Sequence, residues 1–480
     1  MNDSNQYDSS YNKGESADLK QGIALKKDNQ YGFSVNNPQS GPVGKEARDE
    51  SAELLAPFFP EDWAKVTATS NKADFATRKR SLDGFIARTY RLDGEFPGAS
   101  YGGNYYWDIQ GNTATCKESD DQKKVTWENL VGQTVDASGE IPNVLIDLLE
   151  GNTKDNVTYR ADTSTDEIIG HLFIYKVAYD VLGDDGEEGE IKQVLVDTVR
   201  RFAQHMVDNG YCLRDATGQA TSWGKTERDY FNNSYAWEDC ALNSLVNLCT
   251  FKLAGYVTGE ARWENEYRML ALDDPYRYAD LAGEYWTRWE HLAKLEGNTT
   301  PDDIYTYILQ ELNYSDEEMA MEAYYLLFEM EEDEELIEKY QAGVDAWWNS
   351  MQYSENPLWY YIYQLAYPEA AQQDAYGNDL VDTAAWALSR HPIDTRQWCA
   401  SHESRPDLKQ DGELSRDKTT NEISVAPFDE RSVHKYNRSS YKLTDGGRDD
   451  PNSMEGSTIY TLPYWMGRYH GMITPPTTTP

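Results

Sequence analysis

The sequence lacks a long apolar run and any spacing of cysteines that would suggest a metal site. No stretch of the 480 residues approaches the roughly 20 apolar residues that a helix needs to cross a bilayer, so we expect no membrane span. The first 16 residues, MNDSNQYDSSYNKGES, also lack the apolar centre of a signal peptide. An odd count of cysteines allows at most two internal disulfides and leaves one thiol over, and without a CxxC pair a zinc site is not predicted. The five are Cys116, Cys212, Cys240, Cys249 and Cys399.

Positive charge is also scarce. The chain has 83 acidic residues against 44 basic ones, which gives a net charge of −39. Such a chain repels phosphate backbones and anionic lipids, so a nucleic-acid or membrane-surface partner is not expected. Because salt shortens the range of this self-repulsion, the composition favours a halophilic setting, with an ordinary acidic secreted protein as the alternative.

Several common catalytic motifs are missing as well. The sequence has no GxGxxG, no P-loop, no GxSxG and no HExxH, which argues against dinucleotide, nucleotide and common serine-hydrolase chemistry. Aromatic residues, by contrast, are abundant, and tyrosine outnumbers phenylalanine by 35 to 12. Rings that carry a hydroxyl suit a wet, ligand-binding cleft.

Other features indicate export from the cell. Six N-x-[ST] sequons suggest a glycoprotein: Asn2, Asn156, Asn232, Asn298, Asn313 and Asn437. Residues 474–480 form a Pro/Thr tail that resembles the start of an O-glycosylated stalk. We therefore predict a secreted or cell-surface protein.

The apolar pattern predicts an all-α fold. Residues 1–45 are polar and without periodicity, and we expect a disordered or extended arm there, through which the chain could self-assemble. From about 164 to 390, runs of helical length alternate with short breaks. Short connections favour antiparallel neighbours, so we predict an (α/α) toroid of helical hairpins over 46–473, with a solenoid as the alternative. Residues 391–473 are predicted to be a loop-rich C-terminal wrap with a few short strands.

The first candidate site lies at the start of a predicted helix. Ser164 and Glu167 have the spacing of a capping box, and Asp166 in the first turn complements the helix dipole. His171 follows Glu167 by one turn on the same face, so a carboxylate and an imidazole could act as an acid/base pair. A cap with a packed histidine is the alternative interpretation.

The second candidate is the aromatic segment near the end of the chain. Tyr464, Trp465, Arg468 and His470 could stack sugar rings and bind carboxylates, and interior packing is the alternative. Weaker candidates mix acids, imidazoles and aromatics in predicted loops, where functional groups are concentrated. These are Trp223, His402 and Asp429.

No cofactor is expected from the sequence. Residues 445–455 carry the oxygen ligands that calcium takes, but they lack the spacing of an EF-hand. A hydrated acidic turn is the preferred interpretation, with a calcium site as the alternative.

The motifs DTSTDEIIGH (162–171) and LPYWMGRYHGMI (462–473) resemble a family of uncharacterised secreted bacterial proteins. The resemblance spans about residues 80–473 and also includes DNGYCLRDATGQATSWG and ENPLWYYIYQLA. It implies an (α/α) toroid of the six-hairpin-glycosidase type, and no catalytic residue comes with it. The stretch 93–158 is longer here than in the family's pattern.

Toroids of this type often hold glycoside hydrolases and polysaccharide lyases, so the leading hypothesis is an extracellular carbohydrate-active protein. A hydrolase would use Asp166 or Glu167 as general acid and Asp429 as base, with Trp223 and Trp465 stacking the sugar. A lyase would use His171 or Tyr464 to remove a proton and Arg468 to bind a uronate. The alternative is a non-catalytic surface glycoprotein or assembly subunit.

Overall fold

The computed structural model describes most of the chain between residues 164 and 392 and a C-terminal segment. The described ranges there are 164–214, 220–231, 239–392 and 458–474. Shorter described pieces are 86, 90–92, 106–110, 113–116, 124–126, 157–160, 405, 407–408, 425–427, 430–431 and 439–441. Contacts divide the chain into two compact units, residues 26–281 and residues 282–480 with 1–25, and each is described by itself. The predicted N-terminal arm, residues 1–45, and the tail after 474 lie outside the described residues.

The unit of residues 26–281 contains an antiparallel sheet that the sequence did not predict. Its strands are β1 (Tyr90–Leu92), β2 (Tyr106–Gln110), β3 (Thr113–Cys116), β4 (Lys124–Thr126) and β5 (Val157–Arg160). They pair in the order β1-β5-β2-β3-β4, and Trp107 lies opposite both Cys116 and Tyr159. The Gly/Tyr-rich stretch 94–112 therefore supplies strand β2.

The helices of this unit surround one buried helix. They are α1 (Thr165–Val181), α2 (Gly186–Asp208), α3 (Arg228–Phe231), α4 (Asp239–Thr258) and α5 (Ala261–Leu272), and α6 (Tyr278–Gly283) follows. Every residue of α4 from Cys240 to Ala254 is buried, and α4 packs against α1, α2 and α5. A helix buried on all sides forms the centre of a core. A hairpin of β6 (Cys212–Arg214) and β7 (Ala220–Lys225) lies between α2 and α3 in the sequence.

The unit that begins at residue 282 is built from helices. They are α7 (Tyr285–Leu295), α8 (Pro301–Glu311), α9 (Tyr314–Met330), α10 (Glu334–Met351), α11 (Pro357–Ala366), α12 (Leu380–Ser389) and α13 (Thr458–Tyr469). Helix α11 is almost wholly buried and packs against α9, α10, α12 and α13. Helix α7 packs against α8 and α10, where the rings of Tyr285 and Trp347 stack with centroids 3.5 Å apart.

Side-chain caps explain where several of these helices begin. Thr300, Asp333, Asn356 and Asp379 each accept a hydrogen bond from a backbone N–H of the first turn, which would otherwise have no partner in the helix. Pro301 and Pro357 follow two of these caps, where a missing N–H costs nothing.

The described residues are mostly helical, which confirms the coarse prediction of fold class. The prediction of a loop-rich wrap with short strands is wrong for residues 458–469, which form helix α13. The buried residues of this helix follow helical spacing; they are Ile459, Pro463, Met466 and Gly467. The helix was not predicted because a proline inside a run usually indicates a helix break. None of the described helices has the length and apolar character of a membrane span.

Candidate functional site

The turn between α10 and α11 carries the most unusual backbone of its unit. Helix α10 ends at Met351, and Asn356 with Pro357 begins the next helix, which leaves residues 352–356 to reverse the chain. Glu355 in this turn has φ of +50°, a left-handed conformation that favours glycine and asparagine. Such a conformation costs on the order of 1–3 kcal/mol in a side-chain-bearing residue and is concentrated at functional sites.

Hydrogen bonds from Tyr360 hold this strained turn. The backbone N–H of Glu355 donates to the hydroxyl of Tyr360 at 3.0 Å, and that hydroxyl donates to the carbonyl of Gln352 at 3.1 Å. Tyr360 is itself buried within α11. The position of Glu355 is therefore fixed by a rigid helix rather than by the turn alone.

An arginine from the C-terminal part of the chain is held against the same turn. The guanidinium of Arg431 donates through Nη2 to the carbonyl of Ser354 at 2.7 Å and through Nε to the carbonyl of Ala426 at 2.9 Å. Burial raises the pKa of the Glu355 carboxyl, and the charge of Arg431 opposes part of that rise. The wrap thus adds a cation to the site.

A loop after α11 completes the surroundings of Glu355. Asp374 is buried and accepts backbone N–H bonds from Tyr376 and Asn378 at 2.9 and 2.8 Å. The loop is tied to the turn because the N–H of Ala375 donates to the carbonyl of Gln352 at 3.1 Å. Tyr376, 43% exposed, then contacts Tyr353 edge-to-face with centroids 5.4 Å apart. Of these two rings, Tyr376 lies within electrostatic range of Glu355, because burial first and then the charge of Glu355 raise the pKa of its hydroxyl.

The net electrostatic effect is a carboxyl group that holds its proton to a higher pH than an ordinary glutamic acid does. Burial is the largest influence and raises the pKa of Glu355 above its ordinary value. The charge of Asp374 raises it further, and the charges of Arg431 and Arg390 oppose the rise. A half-buried carboxylic acid with a raised pKa is suited to donate a proton near neutral pH.

Helix α13 presents a row of exposed aromatic rings. Trp465 is 63% exposed and Tyr469 60% exposed, and the rings of Tyr460 and Tyr464 stack with centroids 5.6 Å apart and an interplanar angle of 13°. Tyr464 also touches Trp465 edge-to-face at 5.2 Å. We call Tyr460, Tyr464, Trp465 and Tyr469 the aromatic strip. Large exposed aromatics grouped in this way mark binding surfaces.

The end of α12 connects the strip with Glu355. The ring of His391 lies against Tyr460 with centroids 5.5 Å apart. The adjacent residue, Arg390, stacks its guanidinium 4.9 Å from the centroid of Trp386 and acts on the charge of Glu355. The row of aromatic rings therefore extends from Trp465 to His391, next to the arginine whose charge acts on Glu355.

The structure places the predicted C-terminal residues in two environments. Tyr464 and Trp465 belong to the strip, and Arg468 donates from Nη1 to the hydroxyl of Tyr464 at 3.3 Å. His470 instead packs inward: its Nε2 lies 3.2 Å from the hydroxyl of Tyr325, and its Nδ1 lies 3.9 Å from Glu329. Packing thus accounts for His470, and its predicted role in binding remains a prediction.

The predicted site at the start of α1 lies in the unit of residues 26–281. The capping box is confirmed, because the N–H of Ser164 donates to Oε2 of Glu167 at 2.8 Å and its hydroxyl contacts the same oxygen. Asp166 is exposed in the first turn. Burial lowers the pKa of His171, an effect that the charge of Glu167 opposes, and its ring lies 5.6 Å from that of Tyr175. A capping role explains Glu167, and catalysis by Asp166, Glu167 and His171 remains a prediction.

Three other predicted residues are not placed. The backbone of Trp223 belongs to β7, but its side chain lies outside the described part of the chain, as do His402 and Asp429. The acidic run 445–455 also lies outside it. Among the residues that the structure describes, no group of three or more His, Cys, Asp or Glu side chains could hold a metal ion.

Sequence reasoning missed Glu355, the central residue of this site. Glu355 is the first residue of the motif ENPLWYYIYQLA, directly before the Asn-Pro pair that begins a helix. Its left-handed backbone conformation cannot be inferred from the sequence. Arg431 stands two residues after the candidate Asp429, but its distant partner at Ser354 could not be inferred from the sequence.

No family model matches the chain, and no curated protein or solved structure matches it either. The resemblance to six-hairpin glycosidases thus stays an expectation.

Proposed function

We propose that the chain is a carbohydrate-active protein that binds an extended sugar chain along the aromatic strip and hydrolyses it at Glu355. The observation that carries the proposal is a row of aromatic rings from Trp465 through Tyr460 to His391, next to Arg390, whose charge acts on the carboxyl group of Glu355 with its raised pKa.

The binding step follows from the chemistry of the strip. A pyranose ring offers a flat face of C–H groups, which packs on an exposed aromatic ring and buries apolar surface. The stacked pair Tyr460 and Tyr464 and the exposed Trp465 provide several such faces in one row. Rings in a row suit several sugar units, so a polysaccharide or oligosaccharide fits better than a monosaccharide.

The chemical step would use Glu355 as the general acid. A glycosidic oxygen leaves readily only when it receives a proton, and a carboxyl group with a raised pKa keeps that proton to a higher pH. Asp374 is not suited to be the second carboxylate, since it is buried and accepts two backbone N–H bonds and one from the Asn378 amide. Asp429 remains the proposed base, two positions before Arg431 in the sequence.

One observation favours elimination as a second candidate. Arg468 donates a hydrogen bond to the hydroxyl of Tyr464, so a cation and a potential phenolate base lie side by side on α13. A polysaccharide lyase needs such a pair, with the base removing the proton next to a uronate carboxylate and the cation neutralising that carboxylate. Acidic polysaccharides belong in the test for this reason.

The proposal also covers the fold and the location of the protein. An (α/α) toroid, secretion and a glycosylated surface would suit a protein that acts on polysaccharides outside the cell. A non-catalytic sugar-binding or assembly subunit would retain the strip without needing the acid.

The test uses the purified chain and a panel of neutral and acidic polysaccharides. Reducing ends report hydrolysis, absorbance of unsaturated uronates reports elimination, and affinity electrophoresis reports binding. We expect W465A to weaken binding by about 1–3 kcal/mol, or roughly 5- to 150-fold. We expect E355Q to bind normally and to lose at least about a hundredfold in hydrolysis.

The matched control is W286A, because Trp286 is a half-buried tryptophan of the same unit that donates to Glu290 on its own helix, away from the strip. Sugar binding without turnover by the wild type would favour the non-catalytic alternative. An absence of binding across the panel, or hydrolysis that survives in E355Q, would overturn the proposal.

A further inference from the structure

We propose that Tyr211, Tyr276 and Glu266, in the unit of residues 26–281, form a binding site for an alkylammonium ion. We call these three residues the tyrosine corner. The proposal is independent of the carbohydrate site, which belongs to the other unit.

Two aromatic walls define the corner. The rings of Tyr211 and Tyr276 meet with centroids 5.9 Å apart at an interplanar angle of 81°, and both side chains are half-buried. Tyr211 is backed by Phe251, and Tyr276 is backed by Tyr278, each at right angles within 5.9 Å. Two perpendicular rings with buried support offer a rigid corner whose faces attract a cation.

A carboxylate occupies the edge of this corner. The hydroxyl of Tyr211 donates a hydrogen bond to Oε1 of Glu266, a half-buried residue of α5. The charges of Glu266 and Asp229 both reach Tyr276, where they add to the effect of burial in raising the pKa of its hydroxyl. Negative charge and aromatic faces therefore converge at one place.

The backbone is strained where it forms the corner. Tyr211 has φ of +63°, and Arg277, next to Tyr276, has φ of +47°. The carbonyl of Tyr211 accepts bonds from both the N–H and the hydroxyl of Thr226, which hold the residue in place. The side chain of Arg277 is directed to Asp280, 2.7 Å away, rather than over the rings. Strain held in this way is typical of binding sites.

The same unit shows what such a combination attracts. Three other tyrosine rings have a lysine of the chain itself over their face, and in each case a carboxylate contacts either the lysine or the tyrosine. They are Tyr179 with Lys192 at 4.5 Å and Asp184, Tyr267 with Lys252 at 4.8 Å and Glu264, and Tyr230 with Lys225 at 5.4 Å and Asp239.

The tyrosine corner differs from these three in one respect. Within the part of the chain that the structure describes, no lysine or arginine lies over Tyr211 or Tyr276 or pairs with Glu266. The corner has the rings and the carboxylate that bind an ammonium group, and an external ammonium group would complete it. A quaternary ammonium would use the ring faces, and a primary ammonium would also donate to Glu266.

The experiment is a titration of the full-length protein with tetramethylammonium chloride and, separately, with n-butylammonium chloride. Saturation-transfer NMR on the ligand reports binding, and sodium chloride keeps the ionic strength constant, because surface charge alone responds to salt. We expect saturable binding of at least one ion, weakened at least about fivefold in both Y276L and E266Q. Y276L retains an apolar side chain for packing, and E266Q retains an acceptor for Tyr211.

The matched control is Y256L. Tyr256 is an exposed tyrosine of the same unit whose hydroxyl donates to Asp180, and the ring beside it, Tyr179, already has Lys192 over its face. Binding that is unchanged in Y256L supports the corner. If neither ion binds saturably, or if Y276L and E266Q bind as well as the wild type, the proposal is overturned.

Discussion

The guanidinium of Arg431 donates a hydrogen bond to the carbonyl oxygen of Ser354, 2.7 Å away across 77 residues of sequence. A second bond, from Nε to the carbonyl of Ala426, fixes the plane of the group. These bonds attach the C-terminal part of the chain to the turn that carries Glu355. Stability and the state of the proposed acid therefore depend on the same arginine.

The first prediction concerns this attachment. R431K should lower the free energy of unfolding by about 1–3 kcal/mol, because an ammonium cannot reproduce the planar fork that reaches both carbonyls. Urea unfolding followed by tryptophan fluorescence measures the change. The matched control is R262K, since Arg262 is 52% exposed and its ion pair with Glu260 at the surface should contribute less than about 1 kcal/mol. Equal small losses in both variants would contradict the role assigned to Arg431.

The helices were the predictable part of the fold. Periodic runs between 164 and 390 coincide with helices α1, α2, α4, α5 and α7–α12, because apolar spacing and caps such as Asn356 are local properties. The sheet of β1–β5 was missed because its strands are short and pair non-locally, as when β1 pairs with β5. Helix α13 was missed because Pro463 and Gly467 suggested a break.

The candidate site was less predictable than the fold. Trp465 and Tyr464 were expected to bind a ligand, and their exposure and stacking agree with that use. Glu355 belongs to no recognisable sequence motif. Burial raises its pKa, the charge of the distant Arg431 opposes that rise, and its backbone is left-handed. Such features arise from tertiary contacts, which one sequence does not contain.

The second prediction concerns a carboxyl group in the core. Glu317 is fully buried, accepts hydrogen bonds from the hydroxyls of Tyr285 and Ser350, and has no hydrogen-bond partner at Oε2 among the described residues. Burial raises its pKa to about 8, against an ordinary value of 4.5. Between these values the unfolded chain releases the proton and the folded chain keeps it. Stability from this group is therefore complete below pH 4.5 and is lost as pH rises towards 8.

E317Q removes that titration and keeps the acceptor for Tyr285. We expect the wild type to lose stability relative to E317Q by up to about 1.4 kcal/mol for each pH unit between pH 5 and 8. Urea unfolding at fixed salt across this range measures the difference. E369Q, at an exposed position, should follow the wild type at every pH. A constant difference between wild type and E317Q would show that Glu317 is ionised throughout.

The third prediction tests packing in the unit that holds the proposed site. A Cβ added at Gly343 would overlap the hydroxyl of Tyr324, whose ring is fully buried. G343A should therefore cost about 1–3 kcal/mol in the free energy of unfolding. At Gly170, in exposed helix, nothing lies within 4 Å, so G170A should add up to about 1 kcal/mol. Opposite shifts of the melting temperature are expected, and stabilisation by G343A would contradict the packing described.

The fourth prediction links the electrostatics of Glu355 to activity. A general acid works in its protonated form, so hydrolysis should fall as pH rises through the raised pKa of Glu355. The charge of Arg390 lowers that pKa, and R390Q removes the charge. The pKa of Glu355 should then rise, and the falling limb of the pH profile should move to higher pH by a few tenths of a unit. The profile of kcat/KM against pH, measured at constant ionic strength, gives the shift. R262Q removes an equal charge from the other unit and should leave the limb in place, so a movement common to both variants would point to net charge instead of Glu355.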